Sequence, residues 1–460
     1  MFAYSTAINE RRNGRLRSHE HLAVVTVHRR TTKFLEATTM TRATVTLGRT
    51  TRRPRRLVRT AALAAAAALL LAGCATDVPP ASGPSGAPSA PSDEVTLSVP
   101  TSGPWEGRVI GSAENAPTVD GDQVTIDVGA AAPITVEKDK KLRIGFSFSG
   151  SCTGFYQIAW AWAQAAAEEY GYEAELLENC FDLDLQISQL QQAINDGKYD
   201  AIVGTTVDGS TECDLWTKEL PAANILVVPM SNPVCGLDAE PVTAMYSPGT
   251  LAYVGGATGT TASWQAFLEV AYGDHAGEKG LSINYPVGIC GCATSYGLAV
   301  ENALEATGNE VDLTISEVKG TDAAAGQALA QQYLNDNPDA GFINVLSWET
   351  GQGVVEAVKS AGLEDQVDVY ISGADPGLVD AIVAGDVTAT NPNYPGHSAW
   401  AAVQLLHQIV SGETIPTIVA NDGAKLESFS DTEPPFGTFI DQTTVEDFEP
   451  DTVDSASARG

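Results

Sequence analysis

The sequence predicts an α/β fold, two doubly wound lobes in succession. Three observations carry it. Residues 142–148 form a short apolar run bounded by Gly150, which reads as a strand buried on both faces. A small-polar loop, 149–154, leads into an Ala-rich stretch with apolar residues at Phe155, Ile158, Ala159, Trp162, Ala166 and Tyr170, a helical spacing with one face turned to a sheet. This strand–loop–helix unit recurs to about residue 420 and restarts once near 281, giving roughly five strands per sheet and a body of about two domains.

Before the body, residues 1–39 show no periodicity. Arg52, Arg53, Arg55, Arg56 and Arg59 form a positive segment, and 61–71 is apolar but too short to span a bilayer. This is a secretory signal, with Met40 read as its start, and the paired arginines also fit a twin-arginine export signal. Leu71-Ala72-Gly73-Cys74 resembles the lipobox of bacterial lipoproteins, which implies lipidation of Cys74. Residues 1–74 are therefore read as leader and signal peptide. Residues 75–93, rich in Pro, Ser, Gly and Ala, form a tether that cannot build a core. Residues 94–141 read as an irregular N-terminal extension with short strands at 95–99 and 124–128, punctuated by Pro and Gly.

In the body, strands are expected at 142–148, 173–177, 199–203, 225–229 and 242–246, with a helix at 183–194. A helix over 255–272 leads into the second series, with strands at 281–285, 311–318, 341–345, 367–371 and 386–391. Helices are expected at 295–306, 323–334, 351–361, 376–384 and 398–410. Lobe boundaries follow: 142–250 with about 392–420 for the N-terminal lobe, and 251–391 for the C-terminal lobe. Residues 422–460 read as an acidic, Pro-containing tail, partly disordered by composition.

Of 26 basic and 58 acidic residues, 14 and 3 lie at or before Cys74, which leaves 12 and 55 and a net charge of −43 beyond it. Such a surface cannot neutralise phosphates, so nucleic-acid binding is excluded. Solubility and repulsion outside the cell account for the charge. Beyond Cys74 the arginines are Arg108, Arg143 and Arg459, and none falls in a loop after a predicted strand.

Several pieces then occur in a telling order: Leu142-Arg143-Ile144-Gly145-Phe146, Tyr199-Asp200-Ala201-Ile202-Val203-Gly204, Val369-Tyr370-Ile371-Ser372-Gly373-Ala374-Asp375, and the stretch 378–390 before an amphipathic helix. Over about 142–420 the chain resembles the class I periplasmic-type substrate-binding proteins of ABC importers, the ribose-type sugar-binding group. The resemblance implies two Rossmann-like lobes joined by a three-segment hinge, the periplasmic binding protein-like I fold, with crossings near 246–250, 391–394 and 418–421. It implies a ligand held between the lobes by the loops after the strands. Ser149, Phe155, Tyr156, Asp208, Ser231 and Asn232 occupy those places in the first lobe. Ser295, Tyr296, Trp348, Glu349 and Asp375 do so in the second, with Asn391 and Asn393 at the hinge. Ser231-Asn232 stands where sugar binders commonly have Asp-Arg, which puts an ordinary pentose or hexose in doubt.

Aromatic faces with fixed carboxylates and amides suit a sugar or polyol. Two residues carry a second reading: Phe155 as packing at a helix start, and Asp375 as the cap of the helix that opens with Pro376. Lacking arginine and rich in carboxylates, the loops favour a neutral hydroxyl-rich ligand first, a cationic amine or nucleoside second, and an anion last. No nucleophile-elbow or metal-ligand spacing is found around His275, His397 or His407, so a binding protein without cofactor or metal is expected rather than an enzyme. A thiol-based redox or metal site at Cys290-Gly291-Cys292 is the remaining alternative. The implied partners are the small molecule and an ABC permease. The implied state is a monomer, lipid-anchored on the outer side of the cell membrane.

Six cysteines remain after Cys74, in a compartment where disulfides persist. In a sheet of order 2-1-3-4-5, strands one and two are neighbours, as are three and four. That predicts Cys152–Cys180 and Cys213–Cys235. Cys290 and Cys292 are left as either a local bridge or free thiols.

Overall fold

The computed structural model describes residues 108–109, 113–255, 260–286, 288–318, 320–373, 375–420, 439–448 and 450–458. The signal, the lipobox, the tether and the strand expected at 95–99 lie outside the described residues. No helix among the described residues is long and apolar enough to cross a membrane.

The N-terminal extension is more regular than its Pro and Gly content predicts. It forms an antiparallel three-stranded sheet of β1 (Thr118–Asp120), β2 (Gln123–Ile126) and β3 (Ile134–Glu137). Alternation buries Val124, Ile126, Ile134 and Val136 against the first lobe.

The first lobe follows: β4 (Arg143–Phe148), α1 (Gly154–Tyr170), β5 (Glu173–Glu178), α2 (Leu183–Asp196), β6 (Ala201–Gly204) and β7 (Leu226–Pro229). The sheet is parallel, in the order β5-β4-β6-β7. Strand β4 is buried from Ile144 to Phe148, as a central strand covered on both faces must be. Helix α1 starts at Thr153, whose hydroxyl accepts from Tyr156 N, and stops at Gly171 with φ 66°.

The strand expected at 242–246 is a correction. Val242–Ala244 is a short 3₁₀ turn, and the fifth position in the sheet goes to Tyr253–Val254, bridged to β7 through Met230. Tyr253–Val254 pairs in parallel with Ile418–Ala420, which pairs antiparallel with Arg108–Val109. The first crossing therefore lies after Val254 rather than at 246–250.

In the second lobe stand α3 (Thr261–Asp274), β8 (Lys279–Asn284), α4 (Gly291–Ala306), β9 (Asp312–Glu317) and α5 (Ala323–Asp336). Next come β10 (Ala340–Val345), α6 (Trp348–Ala361), β11 (Asp368–Ser372), α7 (Pro376–Ala384) and β12 (Ala389–Asn391). Its parallel strands run β9-β8-β10-β11-β12, the doubly wound order 2-1-3-4-5. Helices α5 and α6 touch closely enough that a Cβ on Gly353 would lie 1.7 Å from Ala323 O. The chain then returns to the first lobe as α8 (Pro395–Val410), which packs along α1.

The acidic tail does more than trail. Ile440–Asp441 joins β12 as an antiparallel edge strand, and Val453–Ala458 forms a short helix. Trp162 Nε1 in α1 donates to Thr452 O at 2.9 Å, so residues 439–458 run from the second lobe back to the first. All six described cysteines are bridged: Cys152–Cys180, Cys213–Cys235 and Cys290–Cys292.

Candidate functional site

The loops at the C-terminal ends of both sheets face each other across a cavity of about 150 Å³. An apolar cavity on this scale holds a six-membered ring such as benzene. The first lobe lines it with Thr153, Phe155, Tyr156, Ile158, Phe181, Ser231 and Asn232. The second supplies Trp264, Tyr285, Leu346, Ser347, Trp348, Glu349, Ser372 and Asp375. The returning segments add Asn393, Tyr394, Ser398 and Asp451.

Each wall is fixed by its neighbours. Phe155 and Tyr156 stand edge to face at 4.9 Å, and Tyr156 meets Phe181 at 5.8 Å. Ser231 is held at φ 63°, its N–H donating to Val254 O at 2.9 Å and its carbonyl accepting from Tyr253 OH at 2.6 Å. Asn232 Nδ2 donates to Thr206 O at 3.1 Å. Opposite, Trp264 Nε1 donates to Ser372 Oγ at 2.8 Å, and Tyr285 OH hydrogen-bonds Ser347 Oγ.

The lobes also touch directly. Gly154 N, at the start of α1, donates to Glu349 Oε1 at 3.1 Å, and Asp375 Oδ2 lies beside Gly154. Two carboxylates of one lobe thus face the positive end of a helix dipole in the other. Further along the seam, Asp238 O accepts from Thr261 Oγ1 at 2.8 Å and from Ser295 Oγ at 3.2 Å. Burial pushes the Tyr285 hydroxyl up to about 12, and the Glu349 charge adds to it. Burial also raises Tyr156, against a lowering hydrogen bond from Thr205 and again with a contribution from Glu349. Both phenols remain protonated donors. Asp451, 1% exposed, accepts from His397 N at 3.0 Å and from His397 Nδ1.

Residues 293–414 match the family model described as "Periplasmic binding protein domain". This stretch runs from α4 through α8. Solved structures share this fold over about two thirds of the chain. A Caulobacter myo-inositol binding protein bound to myo-inositol is 18% identical with a TM-score of 0.55, covering 68% of this chain and 97% of that one. A carbohydrate transporter solute binding protein from Agrobacterium radiobacter, in complex with D-arabinose, is 15% identical with a TM-score of 0.54, covering 67% and 96%. An ABC transporter solute binding protein from Mycobacterium smegmatis with bound glycerol is 21% identical with a TM-score of 0.52, covering 67% and 96%.

Within this periplasmic binding protein fold, the structure brings Phe155, Tyr156, Ser231, Asn232, Trp348, Glu349, Asp375 and Asn393 to the cavity. Asp375 caps α7, its Oδ1 accepting from Gly377 N at 2.8 Å, and it also lines the cavity. Five expected residues lie elsewhere. Ser149 donates to Asn179 Oδ1 at 3.1 Å, and Asp208 closes its own turn by accepting from Ser210 N and Thr211 N. Ser295 serves the seam through Asp238. Tyr296 is buried in the second lobe's core, where its OH accepts from Asn344 Nδ2 at 2.7 Å. Asn391 is buried at the end of β12 beside Ser263. Trp264, Tyr285, Tyr394, Ser398 and Asp451 were not anticipated. Trp264 and Asp451 follow chain crossings, and only a correct count of crossings would have flagged them.

Proposed function

We propose that this protein is an extracytoplasmic solute-binding protein of an ABC importer, which closes its two lobes around a sugar or polyol. One observation carries the reading: an aromatic-walled cavity between two doubly wound lobes, edged by hydroxyl, amide and carboxylate groups from both. Aromatic faces cover the C–H surface of a polyol while polar groups meet its hydroxyls. Contacts made by both lobes supply the differential affinity that closure requires. The arabinose, inositol and glycerol complexes among the similar folds support this ligand class. The bound, closed form would then be presented, as a monomer, to a membrane permease.

The lipobox at Leu71-Ala72-Gly73-Cys74 and the tether behind it support a lipid anchor at Cys74. Thermal-shift screening over sugars, polyols, nucleosides and amines tests the ligand class, because a ligand that binds the native state raises the melting temperature. At least one polyol is expected to do so, with calorimetry giving one site per chain. A panel in which only nucleosides shift the transition would replace this reading with the nucleoside one. For the anchor, Cys74→Ser is expected to move the protein from the membrane fraction to the medium; continued membrane retention would remove the lipid from the account.

A further inference from the structure

Resting on the solute-binding reading, we infer that the polyol taken by this cleft carries a positive charge: an amino sugar or amino cyclitol rather than a neutral sugar. The argument begins with charge balance. Glu349, Asp375 and Asp451 line the cavity, and no Lys, Arg or His does among the described residues. A carboxylate drawn into a closed cleft costs free energy unless a positive group meets it. Inside the protein, the compensation is small. Glu349 uses Oε1 on Gly154 N, and Asp375 uses Oδ1 on Gly377 N. The N-terminus of α1, which both approach, supplies about half an elementary charge. Asp451 is matched by His397 behind the wall. Among the described residues, Glu349 Oε2 and Asp375 Oδ2 accept no hydrogen bond, although each residue borders the cavity.

The second observation is independent of the acids. Phe155, Tyr156, Phe181, Trp264, Tyr285, Trp348 and Tyr394 surround the same space. Seven aromatic residues exceed what the C–H faces of one small ring require, while the π-faces of such rings attract a cation. Tyr156 and Tyr285 stay neutral donors beside Glu349, so they add no negative charge and can serve ring hydroxyls. Ser231, Asn232 and Ser372 offer further hydroxyl partners. Hydroxyl recognition and cation recognition therefore coexist in one cavity, and an ammonium group on a polyol ring satisfies both.

The test is calorimetry on the full exported chain with matched pairs: glucose with glucosamine, galactose with galactosamine, and myo-inositol with its amino-deoxy analogue. The amino member of at least one pair is expected to bind about tenfold more tightly than its neutral partner. That preference should shrink severalfold in Glu349→Gln and in Asp375→Asn, each first shown to be folded by its melting transition. It should also fade as pH rises through the amine's own titration. Neutral members that bind as tightly as their amino partners in every pair would overturn this inference and leave the polyol-binding reading standing. Failure of every member of every pair to bind folded protein would overturn both.

Discussion

The two lobes share one sheet order, but they hold their cleft edges in different ways. In the first lobe, Cys152–Cys180 joins the loops after β4 and β5, and Cys213–Cys235 joins those after β6 and β7. Gln186 adds a polar brace, donating to Ser147 Oγ and Thr205 O at 2.8 Å and accepting from Val207 N at 2.8 Å. In the second lobe the one bridge, Cys290–Cys292, spans a single residue, and hydrogen bonds such as Asn284 Nδ2 to Ala293 O at 3.0 Å hold the loops. The braced wall offers aromatic and neutral polar groups. The wall without long-range bridges carries Glu349 and Asp375. Rigid shape and charge thus come from opposite sides of the cleft, so charge contacts such as Gly154 N to Glu349 exist only when the lobes meet.

The largest expected effect breaks the braced wall. Each long bridge closes a loop of 28 or 22 residues and removes that freedom from the unfolded chain. Replacing Cys152 and Cys180 by Ser should cost about 3 kcal/mol, and the Cys213 and Cys235 pair about as much. Urea denaturation of each double variant measures it. A loss below about 1 kcal/mol for both would mean that the loops are held by their hydrogen bonds and that the contrast between the walls is only one of composition.

Most of the fold was legible because each βα unit writes its own signal: an apolar run, a small-polar loop, a helical spacing. The eight anticipated residues that reach the cavity follow strand ends closely, so placing the strand places the side chain. Ser149 and Asp208 also follow strands, but their side chains satisfy local backbone and loop groups, a choice made by turn geometry. The run at 242–246 looked like a strand by composition. Pro241 and Pro248 bracket it, and the true edge strand, Tyr253–Val254, is two residues long, too short for any period to show. Acidic charge and proline content dominate the tail's composition and hide Ile440 and Ala456 as core residues and Asp451 as a cavity residue.

A second effect, seen only as pH changes, sharpens the contrast. The braced wall buries an acid behind its loop: Glu212 is 0% exposed, accepting from Asp208 N at 3.0 Å and Trp216 Nε1 at 3.2 Å. Burial pushes its carboxyl from 4.5 to about 7. The folded protein therefore keeps a proton there that the unfolded chain has released. The associated stability is complete below about pH 4.5 and is lost as pH rises through 7, a change on the order of 3 kcal/mol. Glu212→Gln should flatten that part of the stability–pH curve and leave the variant more stable than the parent at pH 8. An unchanged slope between pH 5 and 8 would show that Glu212 ionises freely in the fold.

The smallest expected effect on stability lies in the other wall. Cys290–Cys292 closes so short a loop that its removal frees little unfolded-state entropy. Yet the bridge stands at the start of α4, where Cys292 lines the cavity and Gly291 is pressed against the first lobe. A Cβ on Gly291 would lie 2.4 Å from Asp238 Oδ1. Replacing both cysteines with Ser should therefore cost less than about 1 kcal/mol in denaturation while weakening ligand binding severalfold, because the loop that meets the first lobe loses its fixed shape. The two measurements together decide it. A stability loss as large as that of the long bridges, with affinity unchanged, would place Cys290–Cys292 among the braces of the fold and end the distinction between the two walls.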